Sequence, residues 1–407
     1  MLSRTATALR VAPRAGRLVL RGLATSAPMY ENKRTPLYQL NVDRGAKMVP
    51  FAGYDMPLSY GDVGQVAAHN HVRTAAGLFD VSHMVQHIFT GAGAQAFLTS
   101  LCPTSLDKIP EHGSSLSVLL NEDGGIIDDL ILTKLTADGS KWYTVTNAGR
   151  ADEDKAHLSA KLDAWNKAHP DQAVTWEILE GWGLVALQGP RAAEALAKLT
   201  DADLTALKFG QSVYADVGKD KVRCHIARGG YTGEDGFEIS MPPDASVSIT
   251  EQILAIPDVW PIGLGARDSL RLEAGMCLYG HDLDESVSPI EGALAWLVGK
   301  DRRAAADFPG ASRILAELKD GPKRRRVGFE VPGAPAREGA KVFDEAGNEI
   351  GVITSGIPSP TLGTNIAMGY VKNGQHKKGT PVQIEIRKKL RPATVRPMPF
   401  VPPKYYK

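Results

Sequence analysis

The chain has 407 residues, with 43% apolar and 23% charged side chains and a formal net charge of +1. That balance excludes a disordered polyelectrolyte, and the length suffices for two or three lobes with substantial cores. No stretch approaches the run of about eighteen apolar residues that a membrane span needs.

The N-terminal segment differs from everything after it. Arg4, Arg10, Arg14, Arg17 and Arg21 are interspersed with Ser, Thr and Ala, and no acidic residue precedes Glu31. This is the make-up of a mitochondrial matrix-targeting presequence over residues 1–28, with cleavage after Leu23 or a few residues later. Its removal leaves a mature chain of about −4, a poor nucleic-acid binder by bulk electrostatics. Cys102, Cys224 and Cys277 lie far apart without a Cys-x-x-Cys pair, which argues against a disulfide framework or a cysteine-built metal centre and for a reducing compartment.

Residues 35–79 read as strands and turns around one helix, with Asp62-Val-Gly-Gln65 as a capping box and Gly77 as a helix stop. From Val81 to Asn147, short apolar runs at Val85–Phe89, Ser117–Leu120, Ile126–Leu132 and Trp142–Val145 predict antiparallel strands with helices between them. Ala151–Asn166 and Arg191–Leu199 read as helices and Gly183–Leu187 as a buried strand. Residues 301–320 form a charged connector. Beyond Gly321, the segments Val327–Val331, Lys341–Phe343, Glu349–Thr354, Ile366–Val371 and Val382–Ile386 predict a small all-β barrel whose strands end near Ile386. The fold class expected is α+β.

Two constellations point to chemistry. In Gly124-Gly-Ile-Ile-Asp-Asp-Leu-Ile-Leu132, two aspartates interrupt an apolar strand, and period-two alternation forces Asp128 and Asp129 onto opposite faces. At least one carboxylate therefore faces a protected surface, where it must be satisfied or held for function. Alternation does not say which. In Arg228-Gly-Gly-Tyr-Thr-Gly-Glu-Asp-Gly-Phe-Glu238 and Gly263-Leu-Gly-Ala-Arg-Asp-Ser-Leu-Arg-Leu-Glu-Ala-Gly275, glycines permit close backbone approach, while Glu238 offers an acceptor and Arg267 a forked donor. Such a pair suits a flat heterocycle with polar edges.

Other patterns read as structural. Thr90-Gly-Ala-Gly-Ala-Gln-Ala96 carries dinucleotide-loop spacing but no surrounding βαβ repeat, so it reads as a turn. His69, His71, His83 and His87 lack a completing ligand set and read as surface or packing histidines. Arg324-Arg-Arg326 reads as a solvated run from which one arginine can project into a cleft.

Taken in order, Thr35-Pro-Leu-Tyr38, Leu78-Phe-Asp-Val-Ser-His-Met84, Gly124-Gly-Ile-Ile-Asp-Asp-Leu130, Gln188-Gly-Pro190, Gly230-Tyr-Thr-Gly-Glu-Asp-Gly-Phe-Glu238, Gly265-Ala-Arg-Asp-Ser-Leu-Arg-Leu-Glu-Ala-Gly275 and Thr354-Ser-Gly-Ile-Pro-Ser-Pro360 resemble the T-protein family, the aminomethyltransferases of the glycine cleavage system. The resemblance implies a three-lobed cloverleaf: two α/β-sandwich-like lobes with antiparallel sheets over residues 29–300, then the connector and a C-terminal all-β barrel over 321–407. It implies tetrahydrofolate as co-substrate without metal, flavin or nucleotide. It also implies lipoylated H-protein and the other glycine cleavage subunits as partners, with no nucleic acid or membrane. By the same resemblance Asp129 is the catalytic carboxylate, Glu238 receives the pterin amino edge, Arg267 contacts folate, and Tyr405, near the chain end, closes the site from the barrel. Met84, Leu116, Val145, Asn147 and Tyr231 fall at pocket-lining positions, with Trp296 and Arg326 as further candidates. A folate-binding scaffold or iron-sulfur maturation factor without transferase activity is the competing class. The maturation proteins carry a cysteine motif, where this chain has Arg228-Gly-Gly-Tyr-Thr-Gly-Glu234.

Overall fold

A computed structural model describes residues 32–407; the expected presequence lies outside the described residues. A short helix, Tyr38–Asp43 (α1), leads to a hairpin of Ala46–Phe51 (β1) and Tyr54–Tyr60 (β2). Helix Gln65–Thr74 (α2) and a fully buried strand, Ala76–Asp80 (β3), follow. The next stretch builds one antiparallel sheet: Val85–Thr90 (β4), helix Ala94–Leu101 (α3), Ser114–Leu120 (β5), Ile126–Lys134 (β6), Lys141–Thr146 (β7), helix Ala151–Ala168 (α4) and Thr175–Ile178 (β8). Its order is β5-β6-β7-β4-β8. Alternation drives the layering, because Leu119, Leu130, Leu132 and Trp142 share one core with Phe97 of α3 and Leu158 of α4.

A second sheet takes Gly183–Gln188 (β9), helix Ala192–Leu196 (α5), Gln211–Val217 (β10), Val222–Arg228 (β11), Gly236–Met241 (β12), helix Ser246–Leu254 (α6) and Val259–Pro261 (β13). It recruits β3 from the N-terminal segment in the order β10-β11-β12-β9-β3-β13. Only β13 with β3 is parallel. Helices Leu264–Glu273 (α7), Lys300–Ala305 (α8) and Ala311–Asp320 (α9) come next. Strands Arg324–Val331 (β14), Lys341–Phe343 (β15), Glu349–Ser359 (β16), Thr364–Lys372 (β17), Pro381–Ile386 (β18) and Lys389–Arg396 (β19) then close a barrel in the order β14-β17-β16-β15-β18-β19. Mixed lobes with antiparallel sheets and a terminal barrel are the architecture that the motifs implied.

Three local expectations are corrected. No capping box forms: α2 starts at Gln65 behind an extended Gly64, with no side-chain cap, because the Gln65 amide packs against Gly265 of α7. Gly77 is a strand residue rather than a helix stop. A Cβ there would meet Ile262 at 2.5 Å and Val72 at 2.6 Å, so glycine is needed for close packing. The barrel does not end near Ile386, since β19 pairs with both β18 and β14 and completes the closure. Of β19 only Ala393 and Val395 turn inward, so the strand carries little apolar signal.

Helix α7 ties the elements together through Glu273, whose carboxylate is fully buried. It accepts from Arg73 of α2 at 2.7 Å, from the Ser359 hydroxyl at 2.5 Å, and from the Thr361 hydroxyl and N–H at 2.7 and 3.1 Å. Burial alone would raise the Glu273 carboxyl, but hydrogen bonding to His69, Ser359 and Thr361 outweighs it and holds the group down at about 2. Two residues earlier, Arg271 donates to Asp282 at 2.6 Å and to Ser355 of β16 at 2.9 Å.

The chain after β19 is a strap. Phe400 and Val401 donate to the Glu273 carbonyl, Lys404 N–H donates to Gly233, and the Tyr406 carbonyl accepts from Phe209. Tyr405 stacks on Phe209 with centroids 4.0 Å apart. These protein contacts hold the tail in place. Deleting Lys404–Lys407 is therefore expected to lower the melting temperature of the ligand-free protein by a few degrees, for the loss of the Tyr405 stack, the Arg228 contact with the Tyr406 ring, the Lys404–Glu234 ion pair and two backbone hydrogen bonds. Unchanged ligand-free melting would mean that these contacts contribute nothing.

Candidate functional site

Strand register assigns the two aspartates to opposite faces. Asp129 pairs with Val118 of β5, and Ile131 pairs with Leu116 and with Val145 of β7. Continuing the β6–β7 register by two residues sets Asn147 opposite Asp129, and continuing the β4–β7 register by one sets Met84 opposite Asn147. Asp129, Asn147, Met84, Leu116 and Val145 thus belong to one face, turned away from helix α4. Asp128 points the other way, into the layer under α4, and is fully buried.

The second sheet presents its own face to this one. Glu238 pairs with Ala227 and Ala186, so the side chains of Ser240 and His225 share its side. The Gln86 side-chain Oε1 joins the sheets, accepting from Ser240 at 2.5 Å and from Tyr143 at 2.8 Å. Phe79, Val81, Ile88, Tyr143, Val145 and Ala186 pack between the two sheets.

Charged groups close around this interface. The Asn147 amide donates to Asp129 Oδ1 and to the Asp129 carbonyl, each at 3.0 Å, and to Asp128 Oδ1 at 2.9 Å. Burial, then the neighbouring Asp128 charge, push the Asp129 carboxyl up to about 7, against the Asn147 hydrogen bond. A carboxyl poised there can exchange a proton at physiological pH. Tyr231 lies within electrostatic reach of Asp129 and Arg267, and its hydroxyl donates to the Cys277 carbonyl. The Arg267 guanidinium sits over the Tyr231 ring, 4.6 Å from its centroid. Burial lowers the Arg267 pKa, while Tyr231 and Glu238 offset it. Burial raises the Glu238 carboxyl, opposed by Arg267. Among the described residues, neither Glu238 nor Arg267 has a side-chain hydrogen bond. A half-buried acceptor and a half-buried forked donor left without partners form a recognition pair for a ligand.

The remaining candidates have other contacts. Arg326 is buried where β14 starts, donating to Gly292 at 2.9 Å and Gly275 at 3.2 Å, and so anchors the barrel to the 275–292 segment. Tyr405 packs in the strap against Phe209. Trp296 stands 64% exposed on the turn before α8. His87 uses both ring nitrogens, on Trp176 at 3.1 Å and on Thr146 at 3.1 Å. Gly91 and Gly93 serve packing, since a Cβ on either would strike the 172–173 carbonyls at 2.1 Å. A separate surface groove along edge strand β10, lined by Thr200, Asp203, Tyr214 and Arg223, shares no residue with this cluster.

Sequence reasoning missed Cys277 and Asp154. Cys277 follows α7 in an irregular segment without periodicity, whereas Asp154 had a legible signal, an acid on the Ala151, Leu158, Leu162 and Trp165 stripe of α4.

Comparison with known proteins covers nearly the whole chain. The family model described as GCVT N-terminal domain matches residues 37–302, and the glycine cleavage T-protein C-terminal barrel domain matches residues 324–402. The probable mitochondrial aminomethyltransferase of Schizosaccharomyces pombe is 50% identical, over 96% of this chain and 98% of that protein. The mitochondrial aminomethyltransferase of Gallus gallus is 46% identical over 92% of this chain and 94% of its own length. The crystal structure of glycine cleavage system aminomethyltransferase T from Bartonella henselae aligns with a TM-score of 0.83 at 40% identity, covering 93% of this chain and 100% of that one.

The raised Asp129 carboxyl carries a stability consequence. Its folded-state value lies above the unfolded one, so its contribution is full below about 4 and lost as pH rises through about 7. Asp129→Asn is therefore expected to raise thermal stability more at pH 8 than at pH 5. Equal effects at the two pH values in thermal melts would show that Asp129 ionises freely in the folded protein.

Proposed function

This chain belongs to the glycine cleavage T-protein family of aminomethyltransferases, and we propose that it moves the methylene carbon of an aminomethyl-dihydrolipoyl carrier to tetrahydrofolate. The products are 5,10-methylenetetrahydrofolate, ammonia and the dihydrolipoyl carrier. The mitochondrial naming of the relatives supports work in the mitochondrion, and the arginine-rich, acid-free segment before Glu31 supports import into its matrix. Lipoylated H-protein is the partner that delivers the carbon, beside the other glycine cleavage subunits.

The observation that carries the folate assignment is the pair of Glu238 and Arg267, neither side chain hydrogen-bonded among the described residues, with Tyr231 within reach of both Arg267 and Asp129. Glu238 accepts from the amino edge of the pterin, and Arg267 donates to folate while stacked on Tyr231. Met84, Leu116 and Val145 supply apolar wall, and Asn147 fixes the carboxyl of Asp129. Tyr405 and Arg326 act from the strap and the barrel, and Trp296 from the outer rim. When bound, tetrahydrofolate supplies the nucleophilic nitrogens that take over the one-carbon unit. The protein supplies positioning and proton management: Asp129 orients and exchanges a proton beside the reacting nitrogens, in a setting where a carboxyl near 7 serves in either form.

Ammonia release from aminomethyl-lipoyl H-protein, with and without tetrahydrofolate, tests the reading. Turnover should depend on tetrahydrofolate and fall by about 10²-fold or more in Asp129→Asn. Turnover independent of folate, or normal in that variant, overturns it. In calorimetric titration, Glu238→Gln should weaken tetrahydrofolate binding by about 1.5–3 kcal/mol, because an amide presents a donor where the ligand's own donors point. Unchanged affinity in both Glu238→Gln and Arg267→Ala would move the folate pocket elsewhere.

A further inference from the structure

Helix α4 buries an acid in a stripe that should be apolar. Ala151, Asp154, Leu158, Leu162 and Trp165 recur at three- and four-residue intervals, and the last three pack on the core beneath the first sheet. Asp154 is fully covered, as is Asp128 on the strand below it. Neither Asp154 oxygen meets a donor of good geometry. What faces it from the sheet is the Asp128 carboxyl, with the Thr146 hydroxyl alongside. Two carboxylates cannot both stay charged in such a place, but one proton between them converts repulsion into a hydrogen bond.

The pair lies directly behind the proposed catalytic group. Asn147 donates its backbone N–H to Asp128 Oδ2 at 2.9 Å, and its side-chain amide to Asp128 Oδ1 at 2.9 Å and Asp129 Oδ1 at 3.0 Å. One asparagine thus reads the state of both aspartates. Other groups bear on the three acids. Arg150 and Glu153 flank Asp154 along its helix, and His87 backs Thr146 at 3.1 Å. Tyr279 faces Asp128, while Tyr231 and Cys277 face Asp129. Apart from Arg150, none of these is a fixed cation able to neutralise a second charge in the pair.

We propose that Asp128 and Asp154 share one proton, and that Asp154 is a positioning residue which keeps a full charge off Asp128 so that Asn147 can hold Asp129 in its working state. The inference rests on the reading of Asp129 given above. Burial raises both members of the pair in support of it.

Two isosteric substitutions move the system in opposite directions. In Asp154→Asn the new amide donates to Asp128 but brings no proton to share, so Asp128 becomes a permanent carboxylate beside Asp129. The acid limb of the kcat–pH profile should move up by about half a pH unit or more, with KM for tetrahydrofolate changed less than about two-fold. In Asp128→Asn the remaining charge sits on Asp154, farther away, and the limb should move down. Loss of rate in both variants with the limb unmoved overturns the proposal. Infrared difference spectroscopy provides a readout that needs no turnover: in an Asp129→Asn background at pH 8, a protonated-carboxyl band should be present and should vanish on adding Asp154→Asn. Absence of that band overturns the shared proton. If instead the acid limb survives in the Asp129→Asn enzyme, the catalytic reading of Asp129 fails while the band still decides the pair.

Discussion

The architecture depends on one buried carboxylate. Glu273, at the end of α7, takes hydrogen bonds from a helix in the N-terminal segment and from the β16–β17 turn of the barrel, while its carbonyl receives the C-terminal strap. Among the described residues no other group neutralises Arg73 as closely, although Glu234 assists at 3.0 Å. Breaking a buried pair of this kind costs about 3–5 kcal/mol, because the surviving charge stays dehydrated. An apolar substitute would pack but would not fix direction. A carboxylate with several donors accepts one arrangement of the three elements, which is what a site assembled from separate elements requires.

That arrangement determines what reaches the interface between the sheets. Helix α7 carries Arg267 and Arg271 four residues apart on one side, with Leu270 and Leu272 buried on others. Locking its C-terminus with Glu273, and Arg271 with Asp282, leaves Arg267 the one arginine of the helix whose guanidinium has no protein acceptor among the described residues. The opposite wall is set by strand register, which cannot slip by one residue without exchanging Asp128 for Asp129. Position on both walls therefore follows from core packing.

Much of this was legible in the sequence, for identifiable reasons. Strands β4 to β7 and β9 carry short apolar runs, and the first five barrel strands are punctuated by glycine and proline. Alternation showed that the aspartates diverge, but only the pairing with β7 shows that Asp129 faces the second sheet. β19 escaped because a barrel strand with a solvated outer face needs few inward apolar residues, and proline and arginine mask those it has. The strap escaped for a different reason. Terminal residues fray by default, and its anchors, Glu273, Gly233 and Phe209, come from segments whose proximity no local pattern encodes. Asp154 was visible as an acid on an apolar stripe, yet three acids in one helical turn read more naturally as favourable to the helix dipole than as a partner for a strand.

The two kinds of charge in this protein follow opposite rules. Glu273 and Asp282 are surrounded by donors and held ionised, below the ordinary carboxylate range, against their burial. Asp129 and Glu238 are given few donors and are raised by theirs. The first kind holds elements together, and the second destabilises the empty fold by leaving dehydrated carboxyls short of partners. Such groups persist only where surrounding structure over-determines their position. Here strand register fixes Asp129 and Glu238 and the saturated network on α7 fixes Arg267 beside them, so satisfied charge in one part of the fold permits unsatisfied charge in another. A ligand bearing donors for Glu238 and acceptors for Arg267 would relieve that deficit, and its binding free energy would include the relief.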